Sequence, residues 1–171
     1  GDFFIYVTGN SSRLLGAELQ IGYDSWSQYL PCNRKKYVKS KPRSERLISF
    51  TAAQLGALGW VKNRPLKSQL IAEFIYHDGT LTCSGSQDAM LELFSNSKVH
   101  VFAPGVRKKT WYKNCLALGD AAVTFDHFSH SSLYVAAVTL MRFIEFWPNS
   151  ENVNLVEDEF NRLMAIEFMA I

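Results

Sequence analysis

The chain has 171 residues, which suits one domain or a part of a larger one. Hydrophobic residues make up 47% and charged residues 20%, an ordinary globular composition that excludes extensive disorder. The net charge of +2 is too small to indicate a nucleic-acid partner. No apolar stretch reaches the length of about 18 residues that a membrane span needs. Three widely spaced cysteines favour reduced thiols in a cytoplasmic protein: Cys32, Cys83 and Cys115.

The chain is predicted to begin with a strand and a short helix. Continuous apolar and β-favouring residues at 2–8 predict a buried strand. Ser11 and Ser12 are candidate caps for a helix at 13–19. Residues 23–30 are aromatic and are expected to be irregular as far as Pro31.

Residues 34–46 carry a cluster of basic side chains. Its members are Arg34, Lys35, Lys36, Lys39, Lys41, Arg43 and Arg46, with Glu45 the one acid among them. Such a cluster fits either an anion-binding patch or a solvated loop or edge strand protected by lysines. No RNA-binding aromatic signature accompanies it, so we favour the solvated strand and predict no nucleic-acid partner.

The middle of the chain is predicted to form hairpins. Residues 59–66 and 69–76 predict an antiparallel pair of strands. Further strands are predicted at residues 34–41, 47–51, 81–83 and 99–103, and a helix is predicted at 86–94.

The last third predicts a buried strand at 114–118, a nearly all-apolar helix at 131–146 and a second helix at 153–169. The polar face of the second helix carries Glu157, Asp158, Asn161 and Arg162. The mixture of strands and helices predicts an α+β fold. Because the chain opens without Met and stops within a helical pattern, we expect a fragment of a longer protein.

The first candidate site is the connection from the strand at 114–118 to the helix at 131–146. Gly119 and Asp120 follow the strand, and the helix begins at Ser131 and Ser132. A helix start collects unpaired backbone N–H groups, so an anion or a polar cofactor edge fits there. Asp120 suits hydrogen bonds from ribose or ribityl hydroxyls. An ordinary capped helix, with Asp120 in a turn, is the alternative.

Other chemistry is less favoured. Asp126, His127 and His130 offer two histidines and an acid, but no third ligand with metal-binding spacing is evident. Neither a Gly-x-Ser-x-Gly elbow nor a Gly-x-Gly-x-x-Gly or Walker sequence occurs. Trp60 fits either a strand facing a cofactor or a packed core.

Five stretches, in this order, resemble motifs of the flavin-dependent tryptophan halogenases. They are residues 2–9, 29–34, 59–66, 102–118 and 158–162. Tyr29-Leu30-Pro31-Cys32-Asn33-Arg34 is similar to Y-L-P-C-D-R, and Gly59-Trp60 with Pro65-Leu66 resembles G-W-x-W-x-I-P-L. The stretch at 102–118 resembles F-x-x-G-R-R-x-x-W-x-x-N-C-x-x-L-G. The resemblance covers nearly the whole chain.

The resemblance implies part of a flavin monooxygenase-like α+β fold, with a mixed or antiparallel sheet leading into C-terminal helices. Residues 1–171 would form a single unit in the central part of such a protein. Within it, residues 1–22 and 110–148 would belong to the flavin-domain side and residues 23–109 to a substrate-side sheet. Residues 149–171 would start the helical region.

The implied chemistry is halogenation of tryptophan or a related aromatic. Reduced FAD and oxygen oxidise chloride or bromide to hypohalous acid, which a lysine beside the indole delivers to the ring. A flavin reductase is the implied partner. The family's FAD fingerprint and its catalytic lysine match no residues of this chain. We therefore expect the isolated chain to be inactive, to bind FAD weakly and to self-associate through exposed strand edges.

Carried over residue by residue, the resemblance assigns Gly119, Asp120 and Ala121 to cofactor binding and Ser131 and Ser132 to halide binding. Trp60 and Pro65 would line the channel between flavin and substrate. Ser129 takes the place of the family's catalytic glutamate, and a hydroxyl cannot hold a proton or a charge as a carboxylate does.

Two further departures lie in the channel strand. Lys62 and Arg64 replace a tryptophan and an isoleucine, and two cations are expected to change the local field. Two alternatives therefore stay open. One is a flavin monooxygenase-like protein, and the other is a non-catalytic binding domain without a cofactor.

Overall fold

A computed structural model describes residues 2–41, 50–56, 58–79, 94, 96–128, 131–147 and 153–171. They fall into two compact units. The first unit contains the described residues of Gly1–Leu30, Ala103–Phe125 and Ser129–Ile171. The second contains those of Pro31–Phe102 and Asp126–Phe128.

Short strands dominate the described residues, and two long helices follow them. The strands are β1 (Phe4–Tyr6), β2 (Tyr23–Ser25), β3 (Arg34–Ser40), β4 (Ala52–Gly56), β5 (Gly59–Pro65), β6 (Leu70–Tyr76), β7 (Val99–Val101), β8 (Gly105–Arg107), β9 (Trp111–Tyr112), β10 (Cys115–Ala117) and β11 (Val123–Thr124). The helices are α1 (Ser131–Glu145) and α2 (Val153–Ala170). Single helical turns occur at Gly9–Ser11, Arg13–Glu18 and Gly119–Ala121.

The second unit is built on an antiparallel sheet with the described strand order β4-β5-β6-β3-β7. The predicted pairing of residues 59–66 with 69–76 is confirmed by β5 and β6. Their register places Trp60 opposite Ile75 and Lys62 opposite Glu73. Because side chains alternate along a strand, these four residues share one face of the sheet.

The opposite face of this sheet carries the apolar core of the second unit. The buried side chains of that core are Leu58, Val61, Ala72, Phe74, Tyr76 and Phe94. The basic strand β3 lies between β6 and β7, so the predicted strand is confirmed but its expected edge position is wrong. Since β7 pairs with Arg34, Lys35 and Lys36, these two lysines do not guard an edge of the described sheet.

The first unit contains two small sheets among its described residues. In one, β1 runs parallel to β10, and β10 runs antiparallel to β9. In the other, β8 lies between β11 and β2, antiparallel to both. The prediction of mixed sheets followed by C-terminal helices is therefore confirmed. The core of this unit includes Leu15, Trp111, Leu116, Val135, Phe143 and Phe160.

Three expectations for the start of the chain were wrong in detail. Residues 23–30 were expected to be irregular, but Tyr23–Ser25 form β2. Tyr6 is buried, but Phe4 and Ile5 are 53% and 46% exposed, so β1 is only partly covered. Ser12 does not cap the turn at Arg13–Glu18. Its backbone is left-handed, with φ of 37°, and its hydroxyl donates to the carbonyl of Ala121 at 2.9 Å. Ser12 therefore ties this segment to the turn that follows β10.

The two helices predicted for the last third of the chain are confirmed with nearly the expected bounds, and the predicted buried strand at 114–118 is found as β10. The predicted strand at 81–83, almost all of the helix at 86–94 and residues 47–49 lie outside the described residues. The nearby strand begins at Ala52 instead. In the described part of the chain, neither helix is long and apolar enough to cross a membrane.

The polar face of α2 attaches the helix to β9. Asn161 Oδ1 accepts hydrogen bonds from the backbone N–H groups of Thr110 and Trp111, at 2.8 and 3.0 Å. Asn161 Nδ2 donates to the carbonyl of Trp111 at 2.7 Å. One turn earlier, Glu157 accepts from the backbone N–H of Lys113 and from Lys109 Nζ, both at 2.9 Å. These side chains thus extend the hydrogen bonding of a two-residue strand.

Asn161→Ala should lower the free energy of unfolding by about 1–3 kcal/mol, because it leaves the buried backbone groups of Thr110 and Trp111 without partners. Urea denaturation followed by far-UV circular dichroism measures the change. Arg162→Ala, next to Asn161 on the exposed side of α2, is the control and should stay within about 0.5 kcal/mol. Equal effects of the two substitutions would contradict the role of Asn161.

Candidate functional site

In the first unit, the turn after β10 packs against the start of α1. Gly119 has a left-handed φ of 59°, which strains residues with a side chain. A Cβ atom added at Gly119 would lie 3.2 Å from the carbonyl oxygen of Ser132. The structure therefore brings together the residues predicted for cofactor and halide binding, Gly119 and Ser132.

Asp120 and Ala121 complete this turn. Ala121 is buried, and its carbonyl accepts the bond from Ser12, whereas Asp120 is half-buried. The carbonyl of Asp120 accepts a hydrogen bond from Thr124 Oγ1 at 3.2 Å. The turn is thus fixed by its backbone, and the Asp120 carboxylate is the acidic group that it presents.

Ser131 and Ser132 are half-buried in the first turn of α1, which contains no acidic side chain. The positive end of the helix dipole is therefore not offset within its own first turn. Ser129, the residue at the altered catalytic position, lies outside the described residues, as does His130.

In the second unit, residues 126–128 lie on the sheet face that carries Trp60. The ring of Phe128 is 4.6 Å from the ring of Trp60, and the ring of His127 is 4.5 Å from that of Phe102. His127 therefore packs edge-on against an aromatic ring. No group of three metal-binding side chains was found when the described residues were searched.

Lys62 is buried beneath this segment. Its side chain is 4% exposed, and Nζ donates to the carbonyl oxygens of His127 at 3.0 Å and Phe128 at 2.6 Å. Nζ also lies 3.7 Å from Oε2 of Glu73, whose side chain is 2% exposed. Two of the three N–H donors of the ammonium are therefore taken by backbone carbonyls, and Glu73 lies at ion-pair distance.

Glu73 is shared by the two cations of the channel strand. Arg64 Nη2 lies 3.5 Å from the same Oε2 atom that faces Lys62. The field expected from two replacement cations is therefore reduced, since a buried carboxylate stands between them. Glu73 was not predicted as a site residue from the sequence. The predicted hairpin already indicated it, because residues 62 and 73 are equally far from the turn and therefore lie opposite each other.

Burial shifts the pKa values of three groups in and beside this cluster. Burial lowers the pKa of the Lys62 ammonium, and the attraction of Glu73 offsets part of that shift. Burial likewise raises the pKa of the Asp126 carboxyl, against a hydrogen bond from the Phe128 backbone and the charge of Lys62. Burial also raises the pKa of Cys32, which is a free thiol.

The two residues assigned to the channel do not share a face of β5. Alternation along the strand places Trp60 with Lys62 and Arg64, and it places Pro65 with Val61 on the core side. Trp60 is therefore the member of the pair that lies beside residues 126–128.

Comparison with known proteins decides the family. The model of the tryptophan halogenase family matches residues 1–171. The chain belongs to the tryptophan halogenase family.

Individual relatives agree with this assignment. The tryptophan 7-halogenase KtzQ of Kutzneria sp. (strain 744) is 21% identical over 176 residues, covering 96% of this chain and 32% of that protein. BrvH, a flavin-dependent halogenase from Brevundimonas sp. BAL3, has a TM-score of 0.84 at 25% identity, over 98% of this chain and 35% of that one. Xcc4156, a flavin-dependent halogenase from Xanthomonas campestris, shares the fold with a TM-score of 0.82 at 23% identity, covering 99% and 35%.

This halogenase-family chain spans about a third of the length of the relatives that it matches. Its mixed sheets and C-terminal helices are those of the flavin-dependent halogenase structures. The Lys62–Glu73 pair and residues 126–128 all lie within the matched region.

Gly119→Ala should destabilise this halogenase-family chain more than Gly9→Ala does. Both glycines are left-handed, with φ of 59° and 67°, so each substitution carries a backbone cost of about 1–2 kcal/mol. A Cβ atom at Gly9 meets nothing within 4 Å, whereas one at Gly119 meets the Ser132 carbonyl. Urea denaturation gives both values. Equal losses would show that the turn does not pack closely on α1.

Asp126→Asn should stabilise the chain at pH 7. The raised pKa of Asp126 means that folding favours the neutral carboxyl. The stability gained from the neutral form is therefore complete below the pKa of the unfolded state, and it is lost as the pH rises through the pKa of the folded state. Asn is neutral throughout and still accepts the Phe128 bond. The difference between the two proteins should vanish near the unfolded pKa, at about pH 4.

Denaturation by urea between pH 4 and pH 8 measures this difference. Asp158→Asn, on the exposed side of α2, is the matched control for removing one carboxylate. The same pH dependence in Asp126→Asn and the unsubstituted chain would contradict the burial of a carboxylate at this position.

Proposed function

We propose that the residues of this chain serve a flavin-dependent halogenase-like oxidoreductase that halogenates tryptophan or a related aromatic. The observation that carries the proposal is the packing of the Gly119–Ala121 turn on the first turn of α1, in a chain that the family matches throughout. FAD, a chloride or bromide ion, a small aromatic substrate and a flavin reductase would be the partners. A cytoplasmic location is part of the proposal.

The described residues fit one end of a flavin. The half-buried Asp120 carboxylate is an acceptor for hydroxyl groups, and it belongs to a turn whose carbonyls at Asp120 and Ala121 are held by hydrogen bonds. The sequence has no Gly-x-Gly-x-x-Gly stretch to hold a pyrophosphate. Bound FAD would supply the reaction of oxygen with halide. The chain by itself would bind FAD weakly.

The first turn of α1 would hold the halide. The backbone N–H groups at the start of a helix attract anions, and no acidic side chain in that turn competes. Ser131 and Ser132 are small enough to let an ion approach the backbone. Gly119 would fix the distance between this helix start and Asp120, because its missing side chain allows close packing.

Trp60 would line the channel through which the oxidant reaches the aromatic substrate, and Ser129 would occupy the position of the family's glutamate. Residues 1–22 and 110–148 are proposed as the flavin-domain side of a flavin monooxygenase-like fold. Residues 23–109 are proposed as the substrate-side sheet, and residues 149–171 as the start of the helical region.

Monooxygenation is the second candidate function. The specific observation in its favour is the Lys62–Glu73–Arg64 cluster, in which Lys62 and Arg64 stand where the resembled motif has a tryptophan and an isoleucine. The channel strand of the resembled family is thought to suppress monooxygenase chemistry, and charged residues in place of its tryptophan and isoleucine would weaken that suppression.

Halide dependence separates the two candidates. The native polypeptide that contains residues 1–171, at its natural length, should convert tryptophan or indole to a product with the isotope pattern of chlorine or bromine. The assay supplies reduced FAD, oxygen and halide, and mass spectrometry identifies the product. Asp120→Asn should weaken FAD binding, whereas Asp158→Asn, on α2, should not.

An oxygenated product that forms equally without halide would replace halogenation with monooxygenation. A folded polypeptide that binds no FAD at all would overturn both candidates and favour a non-catalytic binding domain.

A further inference from the structure

We propose that Lys62 is a positioning residue that fixes the main chain of residues 126–128 on the face of the β5–β6 hairpin. We call Lys62 Nζ, the carbonyl oxygens of His127 and Phe128, and the Glu73 carboxylate the lysine clamp. All four belong to the second unit. The link from this clamp to catalysis rests on the proposed function, but the clamp itself does not.

The contacts make the clamp specific to the backbone. Lys62 Nζ reaches two successive carbonyl oxygens, at 3.0 Å to His127 and 2.6 Å to Phe128. Hydrogen bonds from a charged donor are stronger than those between neutral groups. Two bonds from one ammonium set both the distance and the rotation of the segment relative to β5. A packed apolar side chain would set neither.

Aromatic contacts hold the side chains of the same two residues, His127 and Phe128. Phe128 packs on Trp60 at 4.6 Å, and Lys62 Nζ lies 5.8 Å from the centre of the Phe128 ring. His127 packs edge-on against Phe102 at 4.5 Å. The side chains of residues 127 and 128 are therefore placed by aromatic packing, while their backbone is placed by Lys62.

The clamp is costly for global stability. A buried ion pair is often no more stable than well-packed apolar residues of the same size, because both charges lose their hydration. Burial lowers the pKa of Lys62, because the charged ammonium loses its hydration and so gives up its proton more readily. Global stability therefore does not explain why position 62 is a lysine. The two hydrogen bonds that it donates to the carbonyls of His127 and Phe128 do explain it.

The segment leads directly into the residues on which the proposed chemistry depends. Residues 129–132 follow Phe128 in the chain, and they contain Ser129 and the proposed halide pair Ser131 and Ser132. The backbone that Lys62 holds at 127 and 128 is therefore adjacent in the chain to the proposed halide pair and Ser129. This role is one of positioning, because Lys62 acts through the carbonyls it holds.

The test places 4-fluorophenylalanine at position 128 in the 171-residue chain and records its ¹⁹F signal. Four chains are compared: the unsubstituted chain, Lys62→Met, the double variant Lys62→Met/Glu73→Gln, and Arg64→Gln. The double variant removes the carboxylate that Lys62→Met alone would leave underpaired. Arg64→Gln is the matched control, since it removes the other cation on Glu73 and keeps both carbonyl bonds.

The unsubstituted chain and Arg64→Gln should show one signal, displaced by the Trp60 ring from its position in urea. In Lys62→Met and in the double variant, the signal should move at least halfway toward its urea position. The double variant should still unfold in one cooperative urea transition, because the apolar core on the opposite face of the sheet is unchanged. A folded double variant that keeps the native ¹⁹F position would overturn the clamp.

The catalytic consequence is measured separately in the native polypeptide at its natural length. If halogenation is observed there, the double variant should lower kcat at least tenfold with unchanged FAD affinity. An unchanged kcat would overturn the positioning role and leave the proposed function intact. Absence of halogenation in the unsubstituted protein would overturn the proposed function, and the ¹⁹F result would still decide the clamp.

Discussion

The cost of burying one ammonium group organises the second unit. Lys62 is shielded from water, so its charge needs a counter-charge and its N–H groups need acceptors. The register of β5 and β6 supplies the counter-charge by placing Glu73 directly opposite Lys62. Residues 127 and 128 supply the acceptors through their carbonyl oxygens. A shift of the hairpin by one residue would put Lys62 in the apolar core, which makes the register and the segment mutually dependent.

In the first unit, the turn Gly119–Ala121 follows β10, a strand that is paired on both edges, and two contacts fix its position. Ser12 binds the carbonyl of Ala121, and Gly119 lets the turn approach α1 closely. Neither contact involves the Asp120 carboxylate or the backbone N–H groups at the helix start. The scaffold is thus held by groups other than those proposed to meet the flavin and the halide, which is the arrangement expected of a preorganised site.

Elements that lie in long apolar or β-favouring stretches could be predicted from the sequence, and the shortest elements could not. Helix α1 has 15 residues and β5 and β6 have seven each, whereas β9 and β11 have two residues each and no pattern to detect. The site followed the same rule. Gly119 and Asp120 were visible as a strand–turn–helix connection, but the burial of Lys62 depends on residues 126–128, more than sixty positions away in the chain.

The central claim is that Lys62 donates to two successive carbonyl groups, and one measurement tests it directly. In the 171-residue chain, with ¹⁵N in the lysine side chains and ¹³C in the carbonyls of His127 and Phe128, NMR can detect scalar coupling across a hydrogen bond. The account predicts a slowly exchanging Lys62 ammonium coupled to both carbonyl carbons. A Lys62 ammonium that exchanges as fast as the exposed lysines, with no coupling to either carbon, would contradict it.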